Sequence, residues 1–186
     1  MRSNCPVSCL LRMLALTFSL TLAIVSPVLA QEPRPEGPMT PARMADILKA
    51  LDPDTQQQGT GFQMTLGDVP VLIITDPLAD RMRAMVPIRA AEGMSAEDLQ
   101  RVMQANFDTA LDARYAIARG RLWATYIHPL SPLEKDQLIS ALGQTVNIAL
   151  TYGTAYTGGA LSFGGGDSAD LQRDFIDELL KRGQDI

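Results

Sequence analysis

Residues 69–90, VPVLIITDPLADRMRAMVPIRA, decide how this chain folds. Val71 to Thr75 is an apolar, β-branched run of strand length. A short turn follows. After the turn Met82, Ala84, Val86 and Ile88 alternate with polar positions, which puts them on one face of a second strand opposite Arg81, Arg83 and Arg89. Upstream, Phe62, Met64 and Leu66 alternate with Gln63 and Thr65, and Gly67-Asp68 makes a tight turn into Val71. Three strands joined by short turns predict an antiparallel meander.

Helices flank it. Thr40-Pro41 has an N-cap hydroxyl followed by proline at the first helical position, and Met44, Ile47, Leu48 and Leu51 recur at helical spacing until Asp52-Pro53. Ser95, with Asp98 three residues on, caps a second helix whose expected buried stripe is Leu99, Val102, Met103 and Phe107, extended by Ala110 and Leu111. Residues 114–118 and 122–128 read as two strands around Arg119-Gly120-Arg121. Ser131-Pro132-Leu133-Glu134 opens a third helix carrying Leu138, Leu142, Val146 and Ala149. Residues 153–166 are rich in glycine and read as a flexible linker. Residues 167–182 form a last amphipathic helix with Leu171, Phe175, Ile176, Leu179 and Leu180 on its apolar side. The fold class is α+β, in the order α-β-β-β-α-β-β-α plus a C-terminal helix.

The N-terminus reads as an export signal. Arg2 and Arg12 precede the uncharged run 13–25 (MLALTFSLTLAIV), Ser26-Pro27 breaks it, and Val28-Leu29-Ala30 is a cleavage triplet. The run is shorter than the roughly 20 residues a bilayer requires. Processing after Ala30 predicts a periplasmic or secreted protein without stable membrane insertion. Residues 31–39 form a proline-rich linker, 40–152 the domain, 153–166 the second linker and 167–186 the helical tail. Cys5 and Cys9 leave with the leader, and with them any disulfide or thiolate site. The loss of Arg2 and Arg12 leaves 14 basic against 21 acidic residues, net −7, which disfavours nucleic acid as a partner.

No catalytic or cofactor constellation is evident. His128 is the single histidine, and no G-x-S-x-G elbow accompanies it. Asp52-Pro53-Asp54 starts like a calcium loop, but Gln57 and Gln63 stand where glycine and the bidentate glutamate belong. Gly164-Gly165-Gly166-Asp167-Ser168 is followed by no phosphate-binding lysine. Met82 and Met85 suggest copper(I), yet residues three apart on a strand point to opposite faces. Arg81, Arg83 and Arg89, with Met82 and Met85, remain as candidate partner-binding residues. The arginines read either as a solvated outer face or as a dock for an acidic segment, with the chain's own Asp170, Asp174, Asp177 and Glu178 as one option.

The two strands of residues 69–90, followed by Leu99 and by RYAIARGRLWATYIHPLSPLEKDQL (114–138), resemble the class I type III secretion chaperone fold over about residues 40–152. Within it they resemble the YbjN-type branch of bacterial sensory-transduction regulators. That resemblance implies a non-enzymatic α+β sandwich, often homodimeric, whose sheet or groove holds an extended peptide of another protein. It transfers no functional residues. The expectation is an exported chaperone- or regulator-type domain that binds a protein or peptide client. A sensor of a small apolar ligand in the same groove is the first alternative, and an enzyme of unrecognised type the second. On this reading Trp123 is a core or interface anchor, and the last helix lies over the sheet's exposed face as a removable cover.

Overall fold

A computed structural model describes residues 36–108, 111–153 and 169–185. The segment expected to be a leader (1–30), most of both expected linkers (31–39 and 153–166) and Ala110 lie outside the described residues. Helix α1 (Pro41–Leu51) leads into strands β1 (Gln56–Gln58), β2 (Gly61–Leu66), β3 (Val69–Asp76) and β4 (Arg81–Ala90). Helix α2 (Ala96–Asp108), the hairpin β5 (Arg114–Ala118) and β6 (Arg121–Pro129), then α3 (Lys135–Leu150) and α4 (Ala169–Arg182) follow, with a 3₁₀ turn (Gly183–Asp185) at the end. The strands form one six-stranded antiparallel sheet in the order β1-β2-β3-β4-β6-β5.

Local chemistry explains the elements. Gly67-Asp68 and Arg119-Gly120 are two-residue hairpin loops with positive φ at both positions, the turn geometry whose twist matches that of its strands. Thr40 Oγ1 accepts the Arg43 N–H at 3.1 Å, and Pro41 starts α1. Ser95 and Asp98 exchange hydrogen bonds at the start of α2, with Ser95 N–H and Oγ–H on Asp98 Oδ2 and Asp98 N–H on Ser95 Oγ. Those bonds hold the Asp98 carboxyl below the usual carboxylate range.

The third helix begins three residues later than its sequence suggests. Ser131 does not cap it; its N–H and hydroxyl donate instead to the Asp80 carboxylate at 2.7 and 3.0 Å, tying the end of β6 to the β3–β4 turn. The helix opens at Glu134, whose N–H donates to Gln137 Oε1, while Lys135 N–H donates to Glu36. That donor, followed by Arg43, lowers the Glu36 carboxyl below its ordinary range against a penalty from burial.

The alternation of β2, β3, β4 and β6 puts their buried apolar side chains on one side. Phe62, Met64, Val71, Ile73, Leu122 and Ala124 face the helices, with α3 lying across β3 to β6 and α1 against β2. Helix α3 is enclosed over residues 141–148, so that even Gln144, Thr145 and Asn147 are buried. Gln144 Oε1 accepts the backbone N–H of Asp112 and Ala113, and Thr145 Oγ1 donates to Ala141 O. Tyr115 Oη–H donates to Ile148 O at 2.6 Å, and burial pushes its hydroxyl up to about 12.

Three further expectations are corrected. The strand β1 has no alternating signal: its three glutamines are all exposed, and only backbone pairing with β2 makes it a strand. On α2, Val102 and Ala105 are buried, but Leu99, Met103 and Phe107 lie on the solvent side, Met103 and Phe107 being 66% and 74% exposed. The helix is rotated because Asn106 holds the edge of β5, accepting from Tyr115 N–H at 2.7 Å and donating to Tyr115 O at 3.1 Å.

The third correction concerns α4, which does not cover the open face of the sheet. It packs on α3 and reaches α1, with Leu179 fully buried. Lys135 Nζ donates to Gly183 O just beyond it. The helix side holds the dense apolar surface that α4 must bury its stripe against, so it completes the core there.

Candidate functional site

With α1, α3 and α4 on the same side, the opposite face of the sheet is left without a helix among the described residues. Its side chains are set by register. Gln56, Gln63, Leu72, Met85, Thr125 and Arg114 are successive cross-strand partners and form one row across all six strands. Beside it runs a second row of Gln58, Gly61, Ile74, Arg83 and Ile127. Trp123 pairs with Pro87 and Ala116 in a third.

Two adjoining depressions follow these rows. One, of about 490 Å³, is lined by the β1 glutamines together with Gln63, Leu72 and Met85. The other, of about 460 Å³, lies over Ile74, Arg83, Trp123, Thr125 and Ile127 and reaches Arg119 in the hairpin turn. They share Leu72, Ile74 and Met85, so they make one trough from edge to edge. The trough is shallow: Ile74 and Ile127 are 52% and 54% exposed. At its floor Thr125 Oγ1 is buried and finds no hydrogen-bond partner among the described residues.

The candidate residues divide. Arg83 and Met85 line the trough, and Arg81 lies one row further along the same face, beside Asp76. Met82 faces the core at 1% exposure, as strand alternation requires, and cannot touch a partner. Arg89 leaves the arginine face because β4 is bulged: Pro87 pairs with Trp123 but Arg89 with the buried Leu122, so alternation slips by one at Ile88. Its guanidinium donates to Ala90 O and Glu92 O.

Trp123 was expected as a core or interface anchor and is not in the core. It is half-buried on the trough side, its Nε1–H donating to Ala118 O at 3.0 Å and the Arg121 guanidinium 6.0 Å from the ring centre. Leu72, Ile74, Thr125 and Ile127 went unnoticed as site residues, although their alternation with Val71, Ile73, Ala124 and Tyr126 already placed them together on the other face.

His128 lies on the helix side, its Nδ1 2.7 Å from Pro129 O and its ring stacked on Tyr126 with centres 5.9 Å apart. Asp112, Asp136, Ser140 and Gln144 line the same polar hollow, where burial and then the Asp112 charge raise the Tyr126 hydroxyl to about 12. No group of three or more His, Cys, Asp or Glu side chains suited to a metal ion occurs among the described residues. Among them too, no helix is long and apolar enough to cross a membrane. Asp52 ends its helix, with Oδ1 accepting Asp54 N–H and Oδ2 Thr65 N–H.

These features define an α+β protein with a six-stranded antiparallel sheet, helices on one face and an apolar trough on the other. Among solved structures the chain is similar to the Yersinia pestis type III secretion chaperone SycH, determined in complex with a stable fragment of YscM2. Identity is 15% and the TM-score 0.45, over 57% of this chain and 97% of the SycH chain. No family model matches the chain, the YbjN-type family included, and no curated protein matches it in sequence.

Proposed function

We propose that this protein is a non-enzymatic binding domain whose open sheet face takes a segment of another protein. The observation that carries the reading is the trough itself, an apolar floor on the sheet face opposite the helices. Covering Ile74 and Ile127 would gain roughly 1–1.5 kcal/mol each, since both are a little over half exposed. The shape favours a polypeptide over a small apolar ligand, because ligand sites enclose most of the ligand's surface and this trough is open along its length. The segment would lie on the face rather than extend the sheet at β5, whose outer backbone groups at Tyr115 are already bonded to Asn106.

Export to the periplasm and a YbjN-type relationship belong to the same proposal; they rest on residues 1–30 and on the strand sequences of 69–90 and 114–128. A homodimer is not part of it, because nothing selects a second copy as the cover for Leu99, Met103 and Phe107.

A photocrosslinking residue placed at Ile127 or Ile74, in cells expressing the full chain, tests the reading. Both positions should capture the same polypeptide, and Met85→Asp should abolish the adduct. The exposed α1 position Asp46 should not give it. Absence of any adduct from the trough positions, or equal capture from Asp46, overturns the assignment.

A further inference from the structure

The floor of the trough is apolar, but its charge is all of one sign. Arg83 stands between Ile74 and Ile127 in a single cross-strand row, and Arg119 closes the β5 end. No carboxylate lines either depression. Among the described residues neither Arg83 nor Arg119 has a carboxylate within salt-bridge distance, whereas Arg43, Arg101 and Arg182 are each paired with a glutamate. Arg121, over the Trp123 ring, adds a third cation on the same margin. This local positive field sits on a chain with 21 acidic and 16 basic residues. The α4 carboxylates cannot supply the missing partners, since that helix packs on α3.

Resting on the reading of the trough as a protein-binding face, we infer that its occupant is an acidic-apolar segment of another protein, with apolar side chains and carboxylates taking turns along the one side that faces the floor. Apolar residues of such a segment cover Ile74, Met85 and Ile127, and a carboxylate between them meets the Arg83 guanidinium in the paired geometry that arginine favours. The partly desolvated floor strengthens that pair over one in open water. Six strands about 4.8 Å apart span about 24 Å, the length of roughly seven extended residues. The glutamine-lined β1 end offers amide donors and acceptors for the segment's backbone. Thr125 Oγ1, orphaned beneath, can turn to meet an acceptor there.

Trp123 is the chain's single tryptophan, so its emission reports the trough directly. The test uses the chain processed after Ala30 and three labelled peptides of about nine residues. Each has serine at the even positions, leucine at positions 1, 5 and 9, and aspartate, asparagine or lysine at positions 3 and 7. Fluorescence polarisation and the Trp123 emission shift are read together. The aspartate peptide should bind about tenfold tighter than the asparagine peptide at low salt, with the lysine peptide weakest. The preference should shrink as salt screens it. The variant Arg83→Glu/Arg119→Glu should reverse the order while its melting temperature stays that of the parent. Equal binding of the aspartate and asparagine peptides, no binding of the aspartate peptide, or an order unmoved by the charge reversal overturns the inference. If Ile127 still crosslinks to a client while aspartate has no advantage, the binding face stands and only its charge selectivity falls.

Discussion

Gly143 on α3 and Ile176 on α4 meet so closely that a Cβ built on Gly143 would stand 2.7 Å from Ile176 Cγ1. Leu179 Cδ1 would be 3.4 Å from the same atom. Glycine at this point lets the two helices touch, and Gly→Ala therefore sets two effects against each other. Alanine gains about 0.5–1 kcal/mol in helix propensity. Overpacking a well-filled contact costs about 1–3 kcal/mol. Gly143→Ala is expected to destabilise the protein by roughly 1–2 kcal/mol on that balance. Ile176→Ala in the same background should recover part of the loss, and urea melts of the four proteins in the cycle measure the coupling. A Gly143→Ala protein more stable than the parent would place α4 elsewhere.

Ending the chain after Gly153 removes α4, and the core loses Leu179 and the contacts of Phe175 and Ile176. Deleting one fully buried leucine side chain costs about 2–5 kcal/mol, so the truncated protein should melt far below the parent or fail to fold cooperatively. It should show no gain in peptide affinity at the trough, because α4 lies on the other side of the sheet. A truncated domain with the parent's melting temperature would contradict the packing of α4 on α3.

Trp123→Ala separates stability from binding. A half-buried aromatic side chain on the open face contributes roughly 1–1.5 kcal/mol, well under the ~3–5 kcal/mol lost when a core aromatic is truncated. Thermal melts should show a small shift, and polarisation should show lost binding of the aspartate peptide. A drop the size of a core truncation would mean the ring is part of the core.

Two tyrosines make the fold sensitive to alkali. Burial raises both Tyr115 and Tyr126 from 10.0 to about 12, the Asp112 charge adding to the effect at Tyr126. An acid with a raised folded pKa is held neutral by the fold, so the unfolded chain gives up the proton first. The stability this supplies is present in full below pH 10 and is lost as pH rises through about 12. Tyrosinate absorbance followed with circular dichroism should show two late-titrating tyrosines, and Tyr115→Phe/Tyr126→Phe should flatten the decline in that window. Titration of every tyrosine near 10 with the fold intact would contradict it.

Protein recovered from a periplasmic extract should begin at Gln31 on the proposed export, since Val28-Leu29-Ala30 reads as a cleavage triplet after the apolar run. Intact-mass measurement checks this. Retention of residues 1–30 would remove the exported location from the proposed function.

Much of the architecture was readable before any coordinates. Alternation in 62–66, 82–86 and 122–126 specified which side chains face the core, and the loops at Gly67-Asp68 and Arg119-Gly120 specified the hairpins. Both signals are local: a strand's period of two and a turn's backbone angles need only adjacent residues. The N-caps at Thr40 and Ser95 were legible for the same reason. What failed had its cause far away in the chain. The rotation of α2 depends on Asn106 reaching Tyr115, the late start of α3 on Asp80 claiming Ser131, and the loss of Arg89 from the arginine face on a bulge opposite Trp123.

By itself, then, the amino-acid order determined that this chain makes an antiparallel sheet of alternating strands and amphipathic helices to cover a face of it. It could not determine which face α4 would cover, because that helix carries an apolar stripe able to pack on either. The tertiary structure decided this through Gly143, which lets Ile176 come close enough for α3 and α4 to pack. Leu72, Ile74, Met85, Trp123 and Ile127 were thereby left on an open face, and strand pairing between residues as distant as Ile74 and Ile127 gathered them into one trough.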